Sequence, residues 1–303
     1  MKNAWVDLQV NGQIGIDFSA PSLSGDDFLR AAEAVFASGT AVFLPTVITS
    51  DMELYRRNLP LIVKTAERAG LLSRIPGVHL EGPFLEPEAG YIGCHNPAWA
   101  LPPSPHIFDE LMDIAEGRIK LLTMAAGPNS SELISHASAR GIAVSIGHHR
   151  ATPETLDAAA RAGARSLTHL GNGVPNFLPR HDNAIFAGLA EDRLSVMFIP
   201  DGHHLPDPVL KCYIRCKGAE KLIAVSDGSP AAGLPPGEYD VLGNHAILEP
   251  SGRLYNPEKQ CLVGSAATMS ACMEHLGLLG LLSDDELDMI GRRNPLALIG
   301  EKC

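Results

Sequence analysis

The chain lacks the cysteine patterns of zinc-ribbon and redox proteins. None of its six cysteines belongs to a CxxC pair, and the opening MKNAWVDLQV has no apolar core of the kind that signal peptides carry. We therefore expect reduced thiols in a cytoplasmic protein. The cysteines are Cys94, Cys212, Cys216, Cys261, Cys272 and Cys303.

Positive charge is also scarce. The 24 lysines and arginines stand against 35 aspartates and glutamates, which gives a formal net charge of −11. Binding to a nucleic-acid backbone needs clustered basic side chains that displace counterions, so we expect no nucleic-acid partner. A small anionic substrate is compatible with this charge, because one or two placed Arg or His side chains suffice to bind it.

No linker, charge block or low-complexity tract divides the chain. With 45% hydrophobic content it can bury a large core without being embedded in a membrane. Length alone would allow two domains, but α/β barrels commonly reach about 250 residues as one domain. We predict a single domain over residues 1–303 and no membrane partner.

Short apolar, β-branched runs alternate along the chain with longer Ala- and Leu-rich stretches of helical period. This alternation is typical of a parallel sheet covered by helices, and eight such runs are the number that a (β/α)8 TIM-like barrel requires. Helices are predicted at 24–38, 153–162, 266–279 and 284–292; Thr152 before Pro153 is an N-cap pattern. The predicted strands are 5–10, 41–47, 75–80, 119–125, 142–146, 164–168, 194–199 and 222–225.

Four side chains with metal-binding or catalytic potential each follow a predicted strand: Glu81, His148, His169 and Asp227. They fall at the ends of strands three, five, six and eight, where the βα loops of a barrel meet. A single His or Glu in such a place is more often structural. Their shared position at one rim nevertheless favours a mononuclear metal site with a carboxylate base beside it.

Zinc binds imidazole nitrogen and carboxylate oxygen, and a catalytic zinc keeps one position open for a water whose pKa it lowers towards about 7. Glu81, His148 and His169 supply three ligands and leave that position open. Asp227 is the candidate general base, with a structural Asp paired to a nearby Ser as the alternative. Zn²⁺ is the first choice of metal, and Fe²⁺, Mn²⁺ or Co²⁺ suit the same ligands.

Seven motifs follow one another in the order HLEGPFL, HNP, GHH, THLGNGVPNF, PDGHH, SDGSPAAG and LVGSAATM. Through them the chain resembles the N-acetylglucosamine-6-phosphate deacetylase family of the amidohydrolase superfamily, from Asp7 to about Gly300. The resemblance implies hydrolysis of N-acetylglucosamine 6-phosphate to glucosamine 6-phosphate and acetate. It also implies that the Glu and the two His residues bind the metal, and that Asp227 protonates the leaving amine.

The resemblance further assigns contacts with the substrate or with the metal-bound water. Arg180 matches the family's phosphate-binding arginine, and a planar guanidinium suits a phosphate because it donates two parallel hydrogen bonds. His95 is expected to donate to the developing oxyanion. The assigned residues are Gln9, Cys94, His95, Asn172, Gly173, Arg180, His204, Leu262, Val263 and Gly264.

The first strand reads DLQVNG, with Gln9 and Asn11 where two-metal amidohydrolases carry an HxH pair. Amides are poor zinc ligands, so we predict one metal rather than two. Single-metal members of the resembling family share this feature, and there the Gln helps to hold the metal-bound water.

Some features depart from the family. We expect the small flanking β domain of the family to be absent. The loop LEPEAGYIGCH, which carries a lysine in the family, has acidic Glu86 and Glu88 and no lysine here. Gly171 stands where the family has an aromatic residue. Two alternatives therefore stay open: a hydrolase of another N-acyl amino sugar or amino acid without phosphate, and a non-catalytic barrel that binds metal and sugar. By analogy with the family, we expect a homodimer.

Overall fold

The computed structural model describes residues 4–302, and its central element is a parallel eight-stranded barrel. Each barrel strand pairs in parallel with the next along the chain, and all eight predicted strands are confirmed. A two-residue hairpin, β2 (Gly12–Gln13) and β3 (Ile16–Asp17), follows the first of them. The barrel strands are β1 (Trp5–Val10), β4 (Thr40–Ile48), β5 (Val78–Glu81), β6 (Ile119–Met124), β7 (Ala143–Ile146), β8 (Ser166–Leu167), β9 (Ser195–Phe198) and β10 (Leu222–Ala224).

Helices cover the outside of the barrel, and the predicted caps are present. Ser24 accepts from the backbone N–H of Asp27 at the start of α1, and Thr152 forms a capping box at the start of α5. Within residues 4–302, no helix combines the length and apolarity needed to cross a bilayer. The helices are α1 (Gly25–Ala37), α2 (Met52–Arg68), α3 (Pro105–Ile114), α4 (Ser130–Ala139), α5 (Pro153–Ala162), α6 (Ala184–Ala190), α7 (Asp207–Lys217), α8 (Met269–Leu278), α9 (Asp284–Asp288) and α10 (Asn294–Leu298), with 3₁₀ turns at Pro97–Trp99 and Ala219–Lys221 and a π-helical turn at Met289–Arg293.

The barrel interior is packed with side chains, which leaves its rim as the place for a site. Leu8, Leu44, Leu121 and Met197 are fully buried in one apolar cluster. A second, larger cluster fills the layer between the strands and the outer helices. Barrels filled in this way carry their chemistry where the strands end.

The barrel closes between β1 and the residues that follow β10. Val10 and Gly228 form a parallel bridge, and the backbone N–H of Asn11 donates to the carbonyl of Gly228 at 2.7 Å. Beneath them, the buried Asp7 carboxylate accepts from the backbone N–H and the hydroxyl of Ser226. This closure brings the end of the first strand beside the end of the last.

The Asp7 contact predicts a pH-dependent stability. Burial raises the pKa of Asp7 to about 6, although hydrogen bonds from Ser226 oppose the rise. The folded chain therefore keeps this proton between about pH 4 and pH 6, while the unfolded chain releases it near its ordinary pKa of about 3.9. The free energy of unfolding of the wild type, relative to that of Asp7→Asn, should fall by on the order of 2–3 kcal/mol as the pH rises through this window. Denaturant unfolding of both proteins from pH 4 to pH 7 measures the difference, and a pH-independent difference would contradict it.

An antiparallel sheet lies between the last barrel strand and α8, and the sequence reasoning did not predict it. It consists of β11 (Gly237–Val241), β12 (Asn244–Leu248), β13 (Leu254–Asn256) and β14 (Cys261–Leu262), hydrogen-bonded in that order. We call it the mouth sheet. Buried Val241, Ala246, Leu254 and Val263 pack in an apolar cluster that also contains Ile48, the last residue of β4.

The mouth sheet is attached to the rim loops. The Asn244 side chain donates to the carbonyl of Cys94 at 3.0 Å, and the Asn176 side chain donates to the carbonyl of Gln260 at 3.4 Å. The sheet therefore forms a wall beside the open end of the barrel.

Candidate metal and catalytic site

The structure brings the four strand-end residues together at the rim. Glu81 is the last residue of β5, and His148, His169 and Asp227 follow β7, β8 and β10 closely. Those three have positive φ angles of 51°, 27° and 48°. Residues other than glycine rarely adopt this conformation, and such strain is concentrated at functional sites.

Glu81, His148 and His169 converge on one point. The Glu81 Oε1 atom lies 2.9 Å from His169 Nε2 and 3.2 Å from His148 Nε2, and the two nitrogens are 3.2 Å apart. Ligands about 2.0–2.1 Å from a tetrahedral zinc lie about 3.3 Å from one another. The separations and the donor types therefore fit a divalent metal.

A hydrogen bond to one ring nitrogen of His148 determines that the other nitrogen is the one that can bind a metal at this point. The Nδ1 atom of His148 donates to the carbonyl of Tyr91 at 2.7 Å, so its Nε2 carries the lone pair that a metal needs. Gly173, at φ 61°, packs against the same ring, and a Cβ atom there would lie only 2.8 Å from His148 Nδ1. The His148 ring is thus held between a carbonyl and a glycine.

Burial and charge explain the electrostatics of the cluster. Burial alone would raise the pKa of Glu81, but the close contacts of its carboxylate with the His148 and His169 imidazoles outweigh it and hold that pKa well below its usual value. Burial acts to lower the pKa of His169, and the Glu81 carboxylate more than reverses this, so that pKa is raised. A carboxylate among imidazoles therefore stays ionised.

A third imidazole borders the cluster. His95 Nε2 lies 3.3 Å from His148 Nε2 and 3.8 Å from Glu81 Oε2, so Glu81, His95 and His148 form a second group with metal-binding geometry. Burial lowers the pKa of His95 to about 3, and the neighbouring His148 adds to this effect, so the ring is neutral. The separations within the group of Glu81, His148 and His169 are shorter.

Asp227 stands beside the cluster with a partner of its own. The Asn11 side chain donates to Asp227 Oδ1 at 2.8 Å. Burial, followed by the negative charge of Glu81, raises the pKa of Asp227 to about 6. The buried Asp that pairs with a serine hydroxyl in this structure is Asp7, which binds Ser226. Asn11 is a site residue whose contact with Asp227 the sequence reasoning did not foresee.

The cluster opens into a cavity of about 320 Å³. Of the residues assigned to the substrate, Gln9 instead lies against the cluster, where its side-chain amide donates to Glu81 Oε1 at 3.0 Å. Val263 is buried in the core of the mouth sheet, and Arg180 is exposed and outside the cavity lining. The assigned residues that do line the cavity are Cys94, His95, Asn172, Gly173, His204, Leu262 and Gly264.

His204 has a fixed orientation within this lining. Its Nδ1 atom donates to Asp201 Oδ2 at 2.8 Å, and the same carboxylate accepts from the Ser265 hydroxyl at 3.0 Å. The mouth sheet and the turns between its strands contribute cavity residues that the sequence reasoning missed, Arg253, Tyr255 and Gln260 among them.

Comparison with known proteins identifies the family. No family model matches the chain. The chain is similar to N-acetylglucosamine-6-phosphate deacetylase of Bacillus subtilis, with 32% identity over 275 residues that cover 89% of this chain and 68% of the relative. The chain belongs to the N-acetylglucosamine-6-phosphate deacetylase family.

Other members of this deacetylase family match over nearly the whole chain. N-acetylgalactosamine-6-phosphate deacetylase of Escherichia coli is 26% identical, over 98% of this chain and 77% of the relative. The solved D267A mutant of the Mycobacterium smegmatis deacetylase, in complex with N-acetyl-D-glucosamine-6-phosphate, superposes with a TM-score of 0.88 and 27% identity, over 99% of this chain and 77% of that one. The predicted family and barrel fold are confirmed, and with them the class of enzyme, a hydrolase of amide bonds.

Proposed function

We propose that this deacetylase hydrolyses the N-acetyl group of N-acetylglucosamine 6-phosphate, with Asp227 as the acid and base. The observation that carries the proposal is the convergence of Glu81, His148 and His169 in one cavity, next to the half-buried carboxylate of Asp227, which is not part of their cluster. The cavity volume of about 320 Å³ suits a single sugar. The names of the similar proteins supply the substrate class.

Glu81, His148 and His169 would hold one divalent metal ion, with Zn²⁺ as the first choice. When bound, such an ion polarises an amide carbonyl and lowers the pKa of a water molecule. Asp227, with a pKa of about 6, is ionised at neutral pH and can take a proton from the attacking water. It then returns this proton to the sugar nitrogen as the C–N bond breaks, and acetate and the free amine leave.

His95 would assist at the carbonyl oxygen. Because His148 Nε2 is unprotonated, the neighbouring His95 Nε2 at 3.3 Å can carry the hydrogen of a neutral imidazole. An N–H group in this buried place stabilises negative charge that develops on the substrate oxygen.

We propose a homodimer, supported by two exposed aromatic side chains near the cavity loops: Phe177 is 94% exposed and Phe186 is 55% exposed. We also propose a cytoplasmic location, supported by five described cysteines that carry free thiols.

The test of function is release of acetate by the purified, zinc-loaded protein. N-acetylglucosamine 6-phosphate, its galactosamine counterpart and the two unphosphorylated sugars would be compared as substrates. We expect turnover of a phosphorylated sugar, at a rate well above that of its unphosphorylated form. Equal or faster turnover of the unphosphorylated sugars would favour the alternative N-acyl substrate, and inactivity on all four would refute the proposal.

A further inference from the structure

We propose that Arg253, in the turn that leads into β13 of the mouth sheet, binds the phosphate group of the substrate in the cavity of this chain. The inference deepens the proposed function and rests on it. It gives the specificity for a charged sugar to a residue in the turn between β12 and β13, outside the motifs that carry the family resemblance.

The charge distribution of the cavity points to this residue. Among residues 4–302, Arg253 is the only lysine or arginine in the cavity lining. Glu81 and Asp227 are acidic and lie in the same lining. A substrate with a phosphate therefore meets a single guanidinium from this chain, and an arginine is well suited to bind it.

Contacts with neighbouring side chains orient the Arg253 guanidinium but do not use all of its hydrogen-bond donors. It lies over the Tyr255 ring at 4.1 Å from the centroid, and Tyr255 also lines the cavity. Its Nη1 atom donates to Glu249 Oε1 at 3.0 Å. Its Nε and Nη2 atoms make no hydrogen bond to any other part of the described chain, so one edge of the guanidinium remains for a ligand.

The ion pair with Glu249 does not prevent this role. The side chains of Arg253 and Glu249 are 37% and 39% exposed, and ion pairs with that much solvent contribute little. A phosphate with two negative charges can share the guanidinium or displace the carboxylate from it.

The wall that carries Arg253 is fixed relative to the catalytic loops. The Asn244 amide and the Lys259 ammonium both donate to the carbonyl of Cys94, at 3.0 and 3.2 Å. Cys94 precedes His95, which borders the metal-binding cluster. Arg253 therefore stands in a defined place relative to the reacting end of the substrate.

The test is the ratio of kcat/KM for N-acetylglucosamine 6-phosphate to that for N-acetylglucosamine, measured for wild type, Arg253→Ala and Arg253→Lys. A hydrogen bond to a charged group corresponds to a factor of about 10 to 100. We expect Arg253→Ala to lower kcat/KM for the phosphorylated sugar by this factor, mainly through KM, and to leave the unphosphorylated sugar unchanged. Arg253→Lys should recover part of the loss, because lysine restores the positive charge but not the two parallel hydrogen bonds of a guanidinium.

Arg161→Ala is the matched control, since Arg161 also pairs with an acidic residue four positions away but lies on α5, outside the cavity lining. It should keep the wild-type ratio. An unchanged ratio in Arg253→Ala would overturn the assignment, and so would an equal loss on both sugars, which would indicate a structural role. Failure of the proposed function is distinguishable, because the wild type would then release no acetate from either sugar.

Discussion

Asp227→Asn should lower kcat on the order of 10³-fold and leave the metal content at one ion per chain. An asparagine has nearly the same shape as Asp227 and can still accept from the Asn11 side chain, which donates to Asp227 Oδ1 at 2.8 Å. It cannot, however, take a proton from water or return one to the leaving amine. Positioned acid–base groups contribute about 10²–10⁴-fold to rates, which sets the size of the effect.

The measurement combines single-substrate kinetics with metal analysis on the same preparation. Asp7→Asn is the matched control, because Asp7 is a buried carboxylate whose pKa is likewise raised to about 6, yet it binds Ser226 and lies outside the cavity lining. Its kcat should stay within a few-fold of the wild type. Nearly full activity in Asp227→Asn would show that another group moves the proton.

The barrel could be predicted from the sequence because its strands are buried on both faces. Runs such as LLTM in β6 and AVSI in β7 are short, apolar and β-branched, and helical stretches separate them. The mouth sheet gives no comparable signal. Its strands have two to five residues, and β11 alternates exposed and half-buried positions with only its last residue buried.

The site was predictable to the extent that topology determines it. Parallel strands of a barrel end at one rim, so side chains that follow β5, β7, β8 and β10 must be neighbours. The contact between Asn11 and Asp227 depends on how the first and last strands meet, and a chain read in order does not show that. The cavity position of Arg253 depends on the mouth sheet, which was itself missed.

The structure contains two overlapping groups of possible metal ligands, and histidine variants distinguish them. Both groups contain Glu81 and His148, and they differ in whether His169 or His95 completes the set. His169 Nε2 lies 2.9 Å from the nearer carboxylate oxygen of Glu81, whereas His95 Nε2 lies 3.8 Å from the other. We therefore expect His169→Ala and His148→Ala to lose the metal, and His95→Ala to keep it.

The expected pattern separates metal binding from catalysis. In His148→Ala and His169→Ala, metal content should fall from one ion per chain towards zero, and kcat/KM should fall at least about 10³-fold, because two remaining protein ligands hold zinc poorly. His95→Ala should retain one ion and lose about 10²-fold in kcat, as expected for an oxyanion donor. His136→Ala is the control, since that ring pairs with Asp109 on the outer helices. Metal loss in His95→Ala together with metal retention in His169→Ala would exchange the roles of the two imidazoles. His95 would then be the metal ligand, and His169 would be the candidate donor of a hydrogen bond to the carbonyl oxygen of the substrate.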